Sequence, residues 1–393
     1  MTKTIKTAAD LAINGASPLF DQPVHVGRPN IGDRQHFNAL ADEMFDRHWL
    51  SNDGPLVKRF EKELCDFLKV RHCIAMCNGT IALEIAIRAL DLRGEVIVPS
   101  YTFIATAHAL QWQEITPVFA DIDPSTQMLD PASVRKMITP RTTGILGVHL
   151  WGRPAPVEAL QALADNNGLK LMFDASHGFS CTHRGVPLGN FGQCEVFSFH
   201  ATKFFNTFEG GAVVTNNDEL ASKMRLMRNF GFVDYDKVIY PGTNGKLTEI
   251  AAAMGLTNLA DLDKFVDANK RNYSQYRTAL ASVEGVKVLE FNANEKNNYQ
   301  YIVIEVSPAY RTSRDDLVKI LQAENILARK YFWPGCHNME PYKSYYPNAG
   351  MLLPNTSMVA GRVVVLPTGS AIGESEIAAI TNVIRFVATM SSH

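Results

Sequence analysis

Seven short apolar segments, each about one strand long and most followed by a helical stretch, constrain this chain more than any other feature. They read HCIAMCN (72–78), EVIVPS (95–100), TPVFADI (116–122), TGILGVHL (143–150), KLMFDAS (170–176), EVFSFH (195–200) and GGAVVTN (210–216). Strands that are apolar throughout, rather than alternating, are buried on both faces, and the intervening helices supply the cover. The expectation is an α/β fold with a mostly parallel central sheet covered by helices. Ligands of such sheets sit beyond the carboxyl ends of the strands. Ahead of the first strand, VKRFEKELCDFL (57–68) puts Val57, Phe60, Leu64 and Phe67/Leu68 on one helical stripe after the turn Asn52-Asp53-Gly54-Pro55.

The pattern changes near residue 260 to a long polar helical stretch, then shorter strands (YIVIEV, VVVLP) and helices (RDDLVKILQAEN, SEIAAITNVIRFVATM). This divides the chain into an N-terminal arm (1–25), a large α/β domain (26–260) and a small C-terminal α+β domain (261–393). With 46% hydrophobic and 20% charged residues, the 393-residue chain has material for a large core, and disorder is excluded. Lys plus Arg (38) nearly balances Asp plus Glu (40), so no global positive field recruits nucleic acid or an anionic membrane. The first residues, MTKTIKTAADLAINGASPLF, lack a signal-peptide pattern, and no stretch approaches the roughly 20 apolar residues of a spanning helix. Six cysteines are too sparse for a disulfide framework, and Cys73 with Cys77 has no matching second pair for a metal. A cytoplasmic protein without a metal is expected.

Three strand ends carry residues with chemical potential. Asn78-Gly79-Thr80 opens a helix, where backbone N–H groups form an anion pocket; Gly-Thr before a helix is also ordinary capping chemistry. Asp174 ends an apolar strand, where a carboxylate needs a cation or donors, or else caps the next turn; His177 lies three residues on. Ser198 and Lys203 flank a third strand exit in an apolar, aromatic segment. A lysine held among apolar groups has a lowered pKa and becomes a usable amine nucleophile toward a carbonyl, whereas a surface lysine would merely snorkel.

Taken together, the NGT turn, PSYTFIATAHAL, FDASHGFSC, SFHATK with a trailing EGG, and GTNGKLTEIAAAMG (242–255) resemble the sugar aminotransferases of the DegT/DnrJ/EryC1/StrS family. The resemblance runs from about residue 20 to the C-terminus and implies fold type I of the pyridoxal 5'-phosphate (PLP) enzymes. It assigns Lys203 as the lysine that binds the cofactor covalently, and Asp174 as partner of the ring nitrogen. Ser198, with Gly79 and Thr80, would hold the phosphate, His177 would neighbour the 3-oxygen, and Phe103 would stack on the ring. Asn244 would reach the phosphate of the other subunit's cofactor, giving a homodimer with shared sites. Asn244 and Lys246 lie on a Gly-bracketed loop that the sheet pattern does not place beside its own strand ends.

Lys203 is retained where some relatives carry histidine and act as dehydratases, so transamination is implied; His200 stands beside that position, not at it. The segment ILARKYFWPGCHNMEPY (326–342) lies where relatives contact substrate, and Arg329, Lys330, Tyr331 and His337 offer cations and rings for a nucleotide diphosphate; an aromatic edge of the small domain is the structural alternative. The chain also resembles C4-aminotransferases that make dTDP-4-amino-4,6-dideoxyglucose from dTDP-4-keto-6-deoxyglucose and L-glutamate, in the deoxyaminosugar chemistry of O-antigen and lipopolysaccharide. Amination of GDP-4-keto-6-deoxymannose (perosamine synthesis) or of a 3-keto sugar are the alternatives. A PLP-binding regulator would be expected to lose Lys203 or Asp174, and both are present. A nucleotide-binding oxidoreductase would need G-x-G-x-x-G where this chain reads CNGTIAL.

Overall fold

The computed structural model describes residues 5–390. All seven apolar segments form one sheet, ordered His72–Met76, Gly211–Thr215, Cys194–Ser198, Lys170–Asp174, Thr142–Val148, Glu95–Pro99 and Thr116–Ala120. Gly211–Thr215 is the one strand of this sheet that runs opposite to the other six. Apolar clusters fill both faces: Ile74, Val96, Val98, Leu146, Met172 and Val196 on one, Cys73, Ala75, Phe197 and Val214 among those on the other. The fold is therefore α/β with a mostly parallel sheet, because side chains on both faces of each strand require a cover.

Local chemistry sets the covering helices. Pro55–Leu68 starts with Pro at its first turn, and its free Leu56 and Val57 N–H groups donate to Glu249 at 2.9 and 2.8 Å. That carboxylate caps from another helix, Glu249–Ala260, and so fastens the two together. Gly79–Ala89 is capped by Asn78, whose side chain accepts from Ile81 N–H at 2.8 Å, a contact worth about 1 kcal/mol.

A second, three-stranded antiparallel sheet is ordered Val286–Val288, Ile302–Val306, Val363–Leu366. The first of these strands escapes the sequence pattern because it is a short edge whose Lys287 faces solvent. Helices Leu262–Leu280, Arg314–Ala323 and Glu374–Thr389 pack on this sheet, and Leu11 and Leu19 join the same cluster. Between the two sheets lies a separate cluster that includes Val26, Tyr101, Trp151, Tyr301, Phe332 and Val363. The segment 26–30 is threaded through this seam: Asn30 Nδ2 donates to Phe204 O at 2.8 Å, and Asn30 Oδ1 accepts from Ser370 Oγ at 2.6 Å. It thereby ties the loop that carries Lys203 to the small sheet.

Candidate active site

Two glycines bring the first strand exit against the third. A β-carbon on Gly79 would stand 3.0 Å from Ser198 Cβ, and one on Gly211 would stand 2.7 Å from Gly79 N. Gly211 pairs with both Met76 and Ser198. With Asn78 serving Ile81, the Gly79 and Thr80 N–H groups have no protein acceptor among the described residues. Two helix-terminal N–H groups beside a hydroxyl form an anion cradle.

Asp174 is buried (5% exposed) at the end of its strand. Its Oδ2 accepts from Thr106 Oγ1 at 2.8 Å and its Oδ1 from Ser176 N–H at 3.0 Å. Each oxygen thus receives one neutral hydrogen bond, which leaves lone pairs for a further, preferably charged, donor. The Ser176 contact is the turn-capping role; the same carboxylate also favours the charged form of the Lys203 amine.

Lys203 follows a tight turn, with its N–H donating to His200 O at 2.8 Å, and the next residues, Phe204 and Phe205, are core. The residue is half-buried, and desolvation lowers its amine pKa to about 8 against the opposing pull of Asp174 and Tyr331. At such a pKa an appreciable fraction is the free-base nucleophile near neutrality. Its Nζ lies 3.5 Å from Tyr301 Oη, which in turn lies 3.2 Å from His177 Nε2. His177 is buried, which drives its pKa well below the ordinary histidine value, with Lys203 adding to the effect. Its ring lies beside the stacked Trp151 and Phe332 rings, nearly parallel to both, at centroid distances of 5.8 and 6.0 Å. His200 pairs instead with Thr202 and Glu209, away from this group.

Beside these residues opens a pocket of about 300 Å³ lined by Phe103, Arg329, Tyr331, Phe332, Trp333 and Met339, among others. Phe103 stands at the start of helix Ile104–Gln111, 58% exposed, with its edge to Phe332 at 6.4 Å. Arg329 is exposed, lies 5.0 Å from the Tyr331 ring centroid, and has no carboxylate partner among the described residues. Lys330 also lines the pocket, but its amine is engaged by Asp315 at 3.1 Å. The arrangement offers a reactive amine, a buried carboxylate, an anion cradle, an exposed ring and an unpaired guanidinium.

Residues 32–385 match the DegT/DnrJ/EryC1/StrS aminotransferase family. The chain belongs to that family. It is a PLP-dependent aminotransferase of the fold type I class. It is 34% identical over 367 residues to the dTDP-4-amino-4,6-dideoxy-D-glucose transaminase of Escherichia coli, covering 93% of this chain and 98% of that one. The GDP-perosamine synthase of Caulobacter vibrioides is 35% identical, over 81% of this chain and 86% of its own length. Among solved structures, DesI in the presence of its TDP-sugar product is 47% identical, with a TM-score of 0.93 and coverage of 98% and 97%.

Two sequence expectations for this aminotransferase need correction. His337 does not line the pocket: it is 2% exposed, its Nδ1 bonds Ser100 Oγ at 2.6 Å and its Nε2 bonds Asn338 at 2.8 Å. It fastens the 336–338 turn to the end of strand Glu95–Pro99, and burial lowers its pKa. The GTNGK loop does lie beside a strand end of its own chain: Cys77 N–H donates to Gly245 O at 2.9 Å, and Lys246 bridges Met76. Asn244 itself is exposed. A hydrogen bond between segments about 170 residues apart leaves no periodic signal. Sequence reasoning also missed Tyr301, Trp151, Phe332 and Thr106. Of these only Thr106 had a visible cue, one helical turn after Thr102, to which it is hydrogen-bonded at 3.0 Å.

Proposed function

We propose that the enzyme transfers the amino group of L-glutamate to C4 of dTDP-4-keto-6-deoxyglucose, giving dTDP-4-amino-4,6-dideoxyglucose and 2-oxoglutarate. The observation that carries the reading is the Lys203 amine, brought to about pKa 8 beside the buried Asp174 where three strand ends meet. Full-length similarity to DesI and to the Escherichia coli transaminase supports the sugar. Membership of surface-polysaccharide (O-antigen) biosynthesis and a cytoplasmic location belong to the same reading; no described helix is long and apolar enough to cross a membrane.

The residues fit PLP. Gly79, Thr80 and Ser198 would hold the phosphate, since two unsatisfied helix-terminal N–H groups and a hydroxyl converge there. Asp174 would accept from the ring nitrogen through its spare lone pairs, and Phe103 and His177 would lie against the ring and its 3-oxygen. When bound, PLP supplies an electron sink for breaking a Cα–H bond of the amine donor. Asp174 keeps the ring nitrogen's proton in place. Lys203, with its amine free, would be the base that takes the Cα proton of the donor and the acid that returns it, and a pKa near 8 suits both directions at neutral pH. Trp151, Phe332 and Tyr331 wall the site with rings and limit water.

Competition between dTDP- and GDP-linked 4-keto-6-deoxysugars and a 3-keto sugar, with glutamate as donor, tests the substrate. The dTDP 4-keto sugar should be preferred, and a clear preference for another would overturn the reading. Arg329, which lacks an acidic partner, would meet the diphosphate. Arg329→Ala should raise KM for the sugar by about 10- to 100-fold, the scale of one charged hydrogen bond, with little change for glutamate. Equal effects on both substrates would assign Arg329 elsewhere.

A two-fold homodimer with shared sites belongs to the same proposal. Phe45, Trp49, Leu50, Phe208, Phe230 and Tyr235 are each at least 44% exposed. This surface adjoins the 242–248 loop, since Leu50 O accepts from Glu249 N–H at 3.0 Å. A self-complementary contact there would cover these apolar groups and carry Asn244 toward the partner's cradle. Mixing inactive Lys203→Ala subunits with weakened Asn244→Asp subunits should restore activity, because one site of each heterodimer combines intact Lys203 and Asn244 from different chains. If confirmed subunit exchange produces no rise, either Asn244 serves its own chain or the loop is merely structural.

A further inference from the structure

We propose that Tyr301 is a positioning residue for Lys203: its phenol, oriented by His177, donates a hydrogen bond to the free lysine amine. The inference rests on Lys203 being the reactive amine and adds a residue contributed by the small sheet.

The direction of each bond follows from the first. Trp151 N–H, a backbone group that can only donate, points at His177 Nδ1 at 3.3 Å. Trp151 can present it because its backbone is left-handed (φ 61°) and its ring is pinned by Gln127, whose Oε1 accepts from Nε1 at 2.7 Å. Strained backbone of this kind concentrates where surrounding structure enforces it. His177 Nδ1 therefore carries a lone pair, so the ring is neutral and its proton sits on Nε2. Nε2–H then donates to Tyr301 Oη at 3.2 Å. Having accepted from His177, the phenol retains one proton to give, and Lys203 Nζ at 3.5 Å is the protein acceptor it meets among the described residues. An unprotonated amine can accept that proton; an ammonium cannot.

The groups facing Lys203 are few. Asp174 at the end of its strand and Tyr331 on the 328–335 loop favour the charged amine, while burial opposes it more strongly. His177 reaches it only through Tyr301. The phenol is itself buried, which pushes its pKa well up against a smaller opposing pull from the neighbouring Gln300 side chain and keeps it protonated as a donor. Tyr301 immediately precedes strand Ile302–Val306 of the small sheet, so the lysine that follows a strand of the large sheet is held from across the seam. The consequence is that the seam between the sheets adds to burial in favouring the neutral form of Lys203.

Tyr301→Phe tests this, because it keeps the ring contacts to Trp151 (5.3 Å) and His177 (4.6 Å) and removes only the hydroxyl. Full-length protein freed of cofactor by hydroxylamine is labelled with trace acetic anhydride across pH, and acetylation of the Lys203 peptide is followed by mass spectrometry. Cofactor-loaded protein, with Lys203 protected, is the control, and thermal melting confirms folding. Loss of a donor to the neutral amine should raise the labelling midpoint by about 0.5–1 pH unit. An unchanged midpoint would make Tyr301 a packing residue. A lowered one would mean that it accepts from an ammonium. Either result overturns the proposal. No sugar or amino acid enters the measurement, so an error in the proposed substrate leaves it untouched.

Discussion

Lys203→Ala should remove both the colour and the activity of the enzyme while leaving it folded. The wild-type protein should be yellow when purified, and borohydride reduction followed by peptide mapping should place the pyridoxyl mass on the peptide containing Lys203. The alanine variant should show neither, and its kcat/KM should fall by at least about 10²–10⁴-fold, the scale of losing a positioned acid–base group. Folding should survive because the loop is anchored by its neighbours: Phe204 and Phe205 are core, and Asn30 bonds the Phe204 carbonyl. The substitution also removes a desolvated amine that the fold holds against its solvation preference. Pyridoxyl mass on any other lysine would sink the assignment.

Asp174→Asn should retain cofactor binding and lose roughly 10²–10³-fold in kcat, as when one preorganised electrostatic group is removed. The asparagine can satisfy its surroundings. Its oxygen can accept from Ser176 N–H, and its amide can donate to Thr106 Oγ1, whose own proton turns toward Thr102 Oγ1, 3.0 Å away. Only the charge is lost, and with it the hold on the proton of the ring nitrogen. Asp174→Ala should lose as much turnover and also stability, about 1–3 kcal/mol for each buried partner left unpaired, read as a lowered Tm. Near wild-type turnover in both variants would reduce Asp174 to the turn cap that its Ser176 contact also makes it.

The seven strands were legible because each is apolar on both faces, which one sequence window can display. Val286–Val288 was not, since a short edge strand with exposed Lys287 has no such pattern. Among candidate site residues, Gly79, Asp174, Ser198 and Lys203 sit at strand exits, where strand periodicity itself marks the end. Arg329, Lys330, Tyr331 and His337 come from one segment with no periodicity to orient them. Arg329, Lys330 and Tyr331 line the pocket, Lys330 with its amine held by Asp315, while His337 turns into the core.

By itself the sequence determined the sheet, the helices that cover it and the strand ends where chemistry gathers, because burial on both faces and a glycine at a close turn are local requirements. Only the tertiary structure decided which side chains meet across the seam between the sheets. Tyr301 reaches Lys203 over a separation of 98 residues, and Gly245 lies beside Cys77 because two loops pack together. Such contacts depend on how the two sheets dock, and docking is set by shape and hydrogen bonding summed over the whole seam. No window of sequence carries that information.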